Sequence, residues 1–392
     1  MTEKFGHMNV GSAKELHAFV WERLELLSKD EPKFLRNQLV DYRRNGIVRL
    51  LGVIPMIAAI PFQKVRKFAF LGHQYSDIIS ALPPDQTALL GGFETSKMAR
   101  RQLRQFVPVI SLSYLLWLDY VTGMRVFLRI GRALLRMYFR RTKPQCLVLA
   151  HDLLPLDRLL AVSAKEVGAR IFVIAHGLYQ SQSPRSIIDG QVADAVFVYD
   201  SHQGEIFRSA AAKRIVVMGY HSDIQRRNLN GNRNEVCFLG QPWGKHYGEA
   251  FALRYAEVLK KFVAAVTLSG ARAFYKPHQL ETEFHDTMRS LGLELFSGSL
   301  EESFDRFDYL FSVASTALFE ATLSGKVAVQ TYDPMFKCDR FDEFGYSHVV
   351  DVNDAEAIKS FRNLMPISAN AMHYGSALQR FKTAIRQTDS AT

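Results

Sequence analysis

Short apolar runs recur through the first part of the chain, with stretches of helical periodicity between them: KFAFLG (67–72), TALLGGF (87–93), VPVISLS (107–113), QCLVLAH (145–151), RIFVIAHG (170–177), AVFVYD (195–200) and RIVVMG (214–219). A strand covered on both faces reads as an unbroken apolar run, and parallel neighbours need a crossover helix, so this alternation predicts a doubly wound parallel sheet. A helical opening over 13–45 precedes it.

The pattern then restarts. QRRNLNGNRNE (225–235) is polar and rich in Asn and Gly, and reads as an interdomain linker. Beyond it come the strand VCFLG (236–240), a long helix (248–268), and the strands in ARAFYKPH (271–278) and DYLFSVAST (308–316). At 392 residues and 48% hydrophobic content the chain can build two such cores. The expected organisation is α/β: a first Rossmann-like domain over 1–225, a linker over 226–235, a second Rossmann-like domain over 236–376, and a C-terminal helix (377–387) crossing back before the tail.

Ligands of open parallel sheets sit outside the carboxyl ends of the strands, which selects the residues just after each run. In the first domain these are His151, Asp152 and the nearby Asp157; His176 before Gly177; Tyr199, Asp200 and Ser201; and Gly219, Tyr220 and His221. His176 pairs an imidazole with a residue free to take positive φ, so ring and backbone can approach a ligand together. Asp152 could deprotonate a hydroxyl as general base, although it could instead cap the helix that starts near Pro155, and Asp157 could be the better-placed acid. Asp152, Asp157 and His176 are the catalytic candidates.

In the second domain, Lys276 and His278 reach the carboxyl edge as donors to phosphate or ribose. Ser312, Ser315 and Thr316 stand where a strand runs into a helix N-terminus, which favours an anion. Gln241, after the first strand of this block, and Glu281 complete the candidate donor set. No Asp-x-Asp motif stands at a strand end, so transfer without a metal is expected, with Lys276, the helix dipole and serine hydroxyls meeting the leaving phosphate. No cofactor is expected.

KPHQLE (276–281) resembles the KPHP-x-E segment, and SVASTALFEATLSG (312–325) the Ser-Ser/Thr segment, of bacterial sialyltransferases and related capsule or lipopolysaccharide glycosyltransferases of the GT-B fold, some of which transfer Kdo. HDLLPLDRLLAVSAKEVGARIFVIAHG (151–177) is similar to the strand-helix-strand ending in His-Gly of capsular polysaccharide transferases. The resemblance covers roughly 145–333 and implies two Rossmann-like domains facing a cleft. It also implies a CMP-sugar donor, with His278 on the nucleotide and Ser315 and Thr316 on the phosphate, and a glycan or glycolipid acceptor. Gln279 stands where that pattern has proline. Rival readings are a CDP-polyol phosphotransferase of the teichoic-acid type, a sugar-nucleotide 2-epimerase, and a non-catalytic membrane-docking module.

The net charge of +10 favours an anionic partner. Arg125, Arg129, Arg132, Arg136 and Arg140 fall on one face of a helix opposite Phe127, Ile130, Leu134, Leu135 and Tyr138, so segment 125–141 could lie on an anionic membrane. The apolar run 47–62 is too short to span a bilayer and reads as a core or interfacial segment. No nucleic-acid-binding motif is found. Three scattered cysteines and a start without the features of a signal peptide lead us to expect a cytoplasmic protein, peripheral at the inner face of the membrane.

Overall fold

The computed structural model describes residues 12–30, 32–44, 46–102, 104–181, 190–209, 214–279, 281, 285–368 and 374–389. The chain divides into two compact units. Unit 1 is formed by Met1–Tyr179, Pro184–Asp223 and Met372–Thr392, and unit 2 by Gln180–Ser183 and Ile224–Ala371.

Unit 1 opens with three helices, α1 (Ala13–Asp30), α2 (Pro32–Arg43) and α3 (Gly46–Ala59). Its strands are β1 (Phe68–Leu71), β2 (Thr87–Leu90), β3 (Gln105–Val107), β4 (Cys146–Leu149), β5 (Arg170–Ile174), β6 (Ala195–Val198) and β7 (Ile215–Val217). They pair in parallel in the order β3-β2-β1-β4-β5-β6-β7, so the direction of winding reverses between β1 and β4. One face packs on the opening helices through Trp21, Leu24, Leu147 and Leu149, and the other buries Phe70, Phe172 and Phe197. The C-terminal helix, Tyr374–Asp389, covers that second face. Its Phe381 ring lies 6.2 Å from Phe70 and 5.3 Å from Phe197, and Arg380 donates to the Val217 carbonyl at 2.7 Å.

One expected strand is displaced. The run 107–113 contributes only Val107 to β3, then turns through a 3-10 segment, Val109–Leu112, into the helix Ser113–Thr122. Pro108 has no N–H to continue the ladder, which ends the strand there.

Unit 2 repeats the plan with β8 (Glu235–Leu239), β9 (Arg272–Lys276), β10 (Glu294–Leu295), β11 (Tyr309–Ser312), β12 (Val327–Tyr332) and β13 (His348–Asp351), all parallel, in the order β10-β9-β8-β11-β12-β13. The reversal lies between β8 and β11. The polar segment read as a linker is pinned to this unit. Lys326 and Asp308, both fully buried, pair at 3.1 Å, and Lys326 also donates to the Asn228 carbonyl while the Asn230 amide donates to Asp308. Arg227 pairs with Asp305 at 2.5 Å beside them.

The arginine-rich helix spans Val126–Thr142, and much of its apolar surface is occupied: Leu128, Leu134, Leu135, Tyr138 and Phe139 belong to the core of unit 1. Arg132 and Arg136 meet Glu166. Leu134, Leu135 and Tyr138, which were expected to face lipid, are thus buried in the core of unit 1, while Ile130 is exposed. No single helix among the described residues is long and apolar enough to cross a membrane.

Candidate functional site

In unit 1 the loops after β4, β5, β6 and β7 gather imidazoles and phenols. His151 Nδ1 lies 2.5 Å from Asp157 Oδ2, on the helix Pro155–Lys165. The His176 ring is 5.7 Å from that of His151, and its Nδ1 is 3.2 Å from the Ala150 carbonyl oxygen. A carbonyl only accepts, so Nδ1 of His176 carries the proton and Nε2 is the basic nitrogen. His176 is exposed, and the loop beyond it is braced by the buried Gln203 amide, which accepts from the Tyr179 amide at 2.9 Å and donates to its carbonyl at 3.0 Å. Asp200 caps the helix that carries this brace, its carboxylate accepting from the Gln203 backbone N–H.

Asp152 has another place. It is fully buried, and its two oxygens accept from the amides of Gly190 (2.8 Å) and Val192 (2.5 Å). Burial pushes the nearby Arg158 guanidinium down to about 10, with Asp152 pulling it back up. A carboxylate so occupied anchors the loop before β6. This corrects the expectation that Asp152 faces a ligand as general base. Asp157 lies against His151, an imidazole that the sequence offered at the end of this strand but that was not among the expected catalytic residues.

His221 closes the same edge. Its ring stacks on Tyr220 at 4.7 Å and meets the edges and faces of Tyr75 (5.2 Å) and Tyr199 (5.8 Å). Nδ1 lies 2.9 Å from the Ser222 hydroxyl, while Nε2 is buried without a hydrogen-bond partner among the described residues. Burial, then the charge of His176, push it down to about 4, with Asp77 acting the other way.

In unit 2 the polar residues converge on the switch point between β8 and β11. Gln241, just past β8, accepts through Oε1 from the Ser312 hydroxyl (3.2 Å) and the Ala314 amide (2.9 Å), tying the two strand ends together. Ser312 is fully buried and also donates to the Leu239 carbonyl at 2.8 Å, so its hydroxyl braces the strands and is turned away from solvent, a correction to its expected phosphate role. Ser315 is the N-cap of the helix Thr316–Leu323 and accepts from the Ala317 amide at 3.2 Å; Thr316 is partly exposed in its first turn.

The segment after β9 is held by its own glutamate. Glu281 is buried, accepts from the Tyr275 hydroxyl at 2.9 and 3.0 Å, and accepts from the His278 amide at 2.8 Å. The Tyr275 hydroxyl lies 3.3 Å from that of Tyr255, which accepts from the Gln241 amide at 3.2 Å. A buried chain thus links Gln241 to the His278 backbone. A Cβ at Gly240 would collide with the Glu281 carboxylate and the Tyr275 hydroxyl, so glycine is required there by close approach. Glu281 is consequently a positioning residue, in place of the ligand contact expected of it. Burial raises its carboxyl above the usual range, and the two hydrogen bonds oppose this. His278 is half-buried and shifted down by burial, then by Lys276 and Lys245. Lys245, on the short helix Trp243–Tyr247, was missed in the sequence; its place three residues past the Gln241-Pro242 turn was the available signal. The edge can thus offer a neutral imidazole, two ammonium groups and a helix N-terminus to an anion.

No family model matches the sequence, and no curated protein matches it. Solved structures do. The S. aureus MnaA–UDP complex aligns with TM-score 0.57 at 12% identity, covering 84% of this chain and 98% of that one. The Methanocaldococcus jannaschii UDP-GlcNAc 2-epimerase in complex with UDP-GlcNAc and UDP aligns with TM-score 0.54 at 11% identity, covering 83% and 100%. At such identities the likeness shows the fold alone: the chain has the two-unit, Rossmann-like α/β architecture of the GT-B fold.

Proposed function

We propose that the protein is a glycosyltransferase that uses a nucleotide-activated sugar, with unit 2 binding the nucleotide and unit 1 supplying the base. The observation that carries this reading is the carboxyl edge of the unit 2 sheet, with a glutamate-fixed His278 near Lys276 and Lys245 and, past β11, a Ser-capped helix whose preceding turn Gln241 ties to the end of β8. That set suits a phosphate and a ribose. In the reaction, the acceptor hydroxyl gives up its proton to a base as the new C–O bond forms at the anomeric carbon and the bond to phosphate breaks; His176 Nε2 is the nitrogen of unit 1 proposed as that base. Lys276, Lys245 and the helix N-terminus receive the charge left on the phosphate. The resemblance of 276–281 and 312–325 favours a CMP-linked donor, with a bacterial surface glycan or glycolipid as acceptor.

A second reading is a sugar-nucleotide 2-epimerase, favoured by the two fold matches, whose proteins hold UDP or UDP-GlcNAc. Thermal shift with CMP, CDP, UDP and their sugar conjugates tests both. A shift with CMP compounds, followed by donor hydrolysis or transfer, supports the first reading. Deuterium entering C2 of UDP-GlcNAc from heavy water supports the second, and no shift with any nucleotide overturns both.

A further inference from the structure

Helix α3 is apolar almost all round, yet only one stripe of it is covered. Val53, Met56 and Ile60 enter the core of unit 1, with Arg49 on the Tyr42 carbonyl and the Ser113 hydroxyl. The rest faces outward: Val48 is 70% exposed, Leu51 58%, Ile54 62% and Phe62, just past the helix, 83%, with Leu50 and Ile57 beside them. A contiguous apolar face of this size marks an interaction surface. Its surroundings indicate what covers it. From Arg44 to Lys67 the sequence holds five basic residues and no acidic one, the nearest acids being Asp41 and Asp77. Arg49 and Arg66 are engaged with the protein, whereas Arg44 at one end and Lys64 and Lys67 at the other are exposed. An apolar strip with cations at both ends complements an anionic bilayer surface, with its acyl boundary beneath a layer of phosphates. The helix has 14 residues, about 21 Å, shorter than the roughly 30 Å hydrocarbon core, so it is too short to span a bilayer alone and its length suits the interface plane.

We infer that unit 1 docks on an anionic lipid bilayer through α3, with Val48, Leu51, Ile54 and Phe62 in the headgroup–acyl boundary and Arg44, Lys64 and Lys67 on lipid phosphates. This places docking on a different element from the arginine-rich helix and is independent of the reaction catalysed.

Flotation of the full chain with phosphatidylglycerol-containing phosphatidylcholine vesicles, against phosphatidylcholine alone, tests it. The chain floats with the anionic vesicles. Ile54→Glu with Phe62→Ser weakens binding by about 10-fold or more, and Lys64→Glu with Lys67→Glu removes the preference for anionic lipid. Thermal midpoints of both variants match the parent, because the altered side chains are exposed. A probe that needs no loss of binding is a nitrobenzoxadiazole label at Val48→Cys, the three native cysteines being buried. Its emission shifts to the blue on anionic vesicles, while the same label at Ile130→Cys on the Val126–Thr142 helix does not shift. Absence of flotation, flotation unchanged in Ile54→Glu with Phe62→Ser, or a dimer in sedimentation equilibrium that this variant dissociates would each overturn the proposal, the last by giving the face to a second copy.

Discussion

The Tyr275 hydroxyl stands 2.9 and 3.0 Å from the two carboxylate oxygens of Glu281, six residues away on the far side of the turn that presents His278. Because Glu281 also accepts from the His278 backbone amide, the pair fixes the backbone from which the imidazole projects. Glu281→Ala is expected to weaken nucleotide binding by about 10-fold, since a loosened contact of this kind costs about 1.4 kcal/mol. Tyr275→Phe, which strips one partner from a buried carboxylate, is expected to cost about 1–3 kcal/mol of stability. Isothermal titration and urea midpoints separate the two effects; unchanged nucleotide affinity in Glu281→Ala would remove Glu281 from the positioning role.

His176 and Asp152 are expected to diverge on substitution. His176→Ala loses turnover by about 10²–10⁴-fold, the usual contribution of a positioned base, with nucleotide affinity intact. Asp152→Asn turns an amide N–H toward one of the donors it now satisfies, so it lowers stability by about 1–3 kcal/mol and spares the turnover of the protein that remains folded. Single-turnover rates beside urea midpoints distinguish these outcomes. A stable but inactive Asp152→Asn would return that carboxylate to the chemistry.

The contrast between these two residues marks what the sequence could convey. Buried parallel strands were legible because burial on both faces leaves an apolar run, and the strand ends were legible as places where ligands gather. Which way a polar side chain turns at such an end was not. Asp152 and Asp157 both follow β4, and only tertiary packing directs one to the Gly190 and Val192 amides and the other to His151. Ser312 shows the same limit, because its inward turn depends on the Leu239 carbonyl from a neighbouring strand. The arginine periodicity of the Val126–Thr142 helix was real, but periodicity cannot say whether an apolar face meets lipid or its own core.

Lys326 and Asp308 give a prediction about the segment that precedes β8. Both are fully buried, and Asn228 and Asn230 complete their hydrogen bonds. Lys326→Met leaves an uncompensated buried carboxylate and is expected to destabilise unit 2 by about 3–5 kcal/mol. Adding Asp308→Leu removes the stranded charge and restores part of that loss. Urea unfolding of the parent, single and double variants checks this; a double variant no more stable than the single would show that the charge is not the cause.

His221 fixes a pH dependence. Its imidazole sits at about 4 in the folded chain against the ordinary 6.5, with burial the main cause. As pH falls below about 6.5 the unfolded chain takes up a proton that the folded chain refuses, so this group's stabilising effect is full above that value. It is lost progressively down to about 4, reaching about 3 kcal/mol there. Glu281 works with the opposite sign, since a carboxyl raised by burial makes the folded chain bind its proton more readily as pH falls. The His221 contribution is therefore read as a difference between proteins. His221→Phe keeps an aromatic ring among Tyr75, Tyr199 and Tyr220 but cannot titrate, so its urea midpoint should fall less than the parent's between pH 7 and 4.5. Equal falls in the two proteins would mean that His221 is not the group responsible.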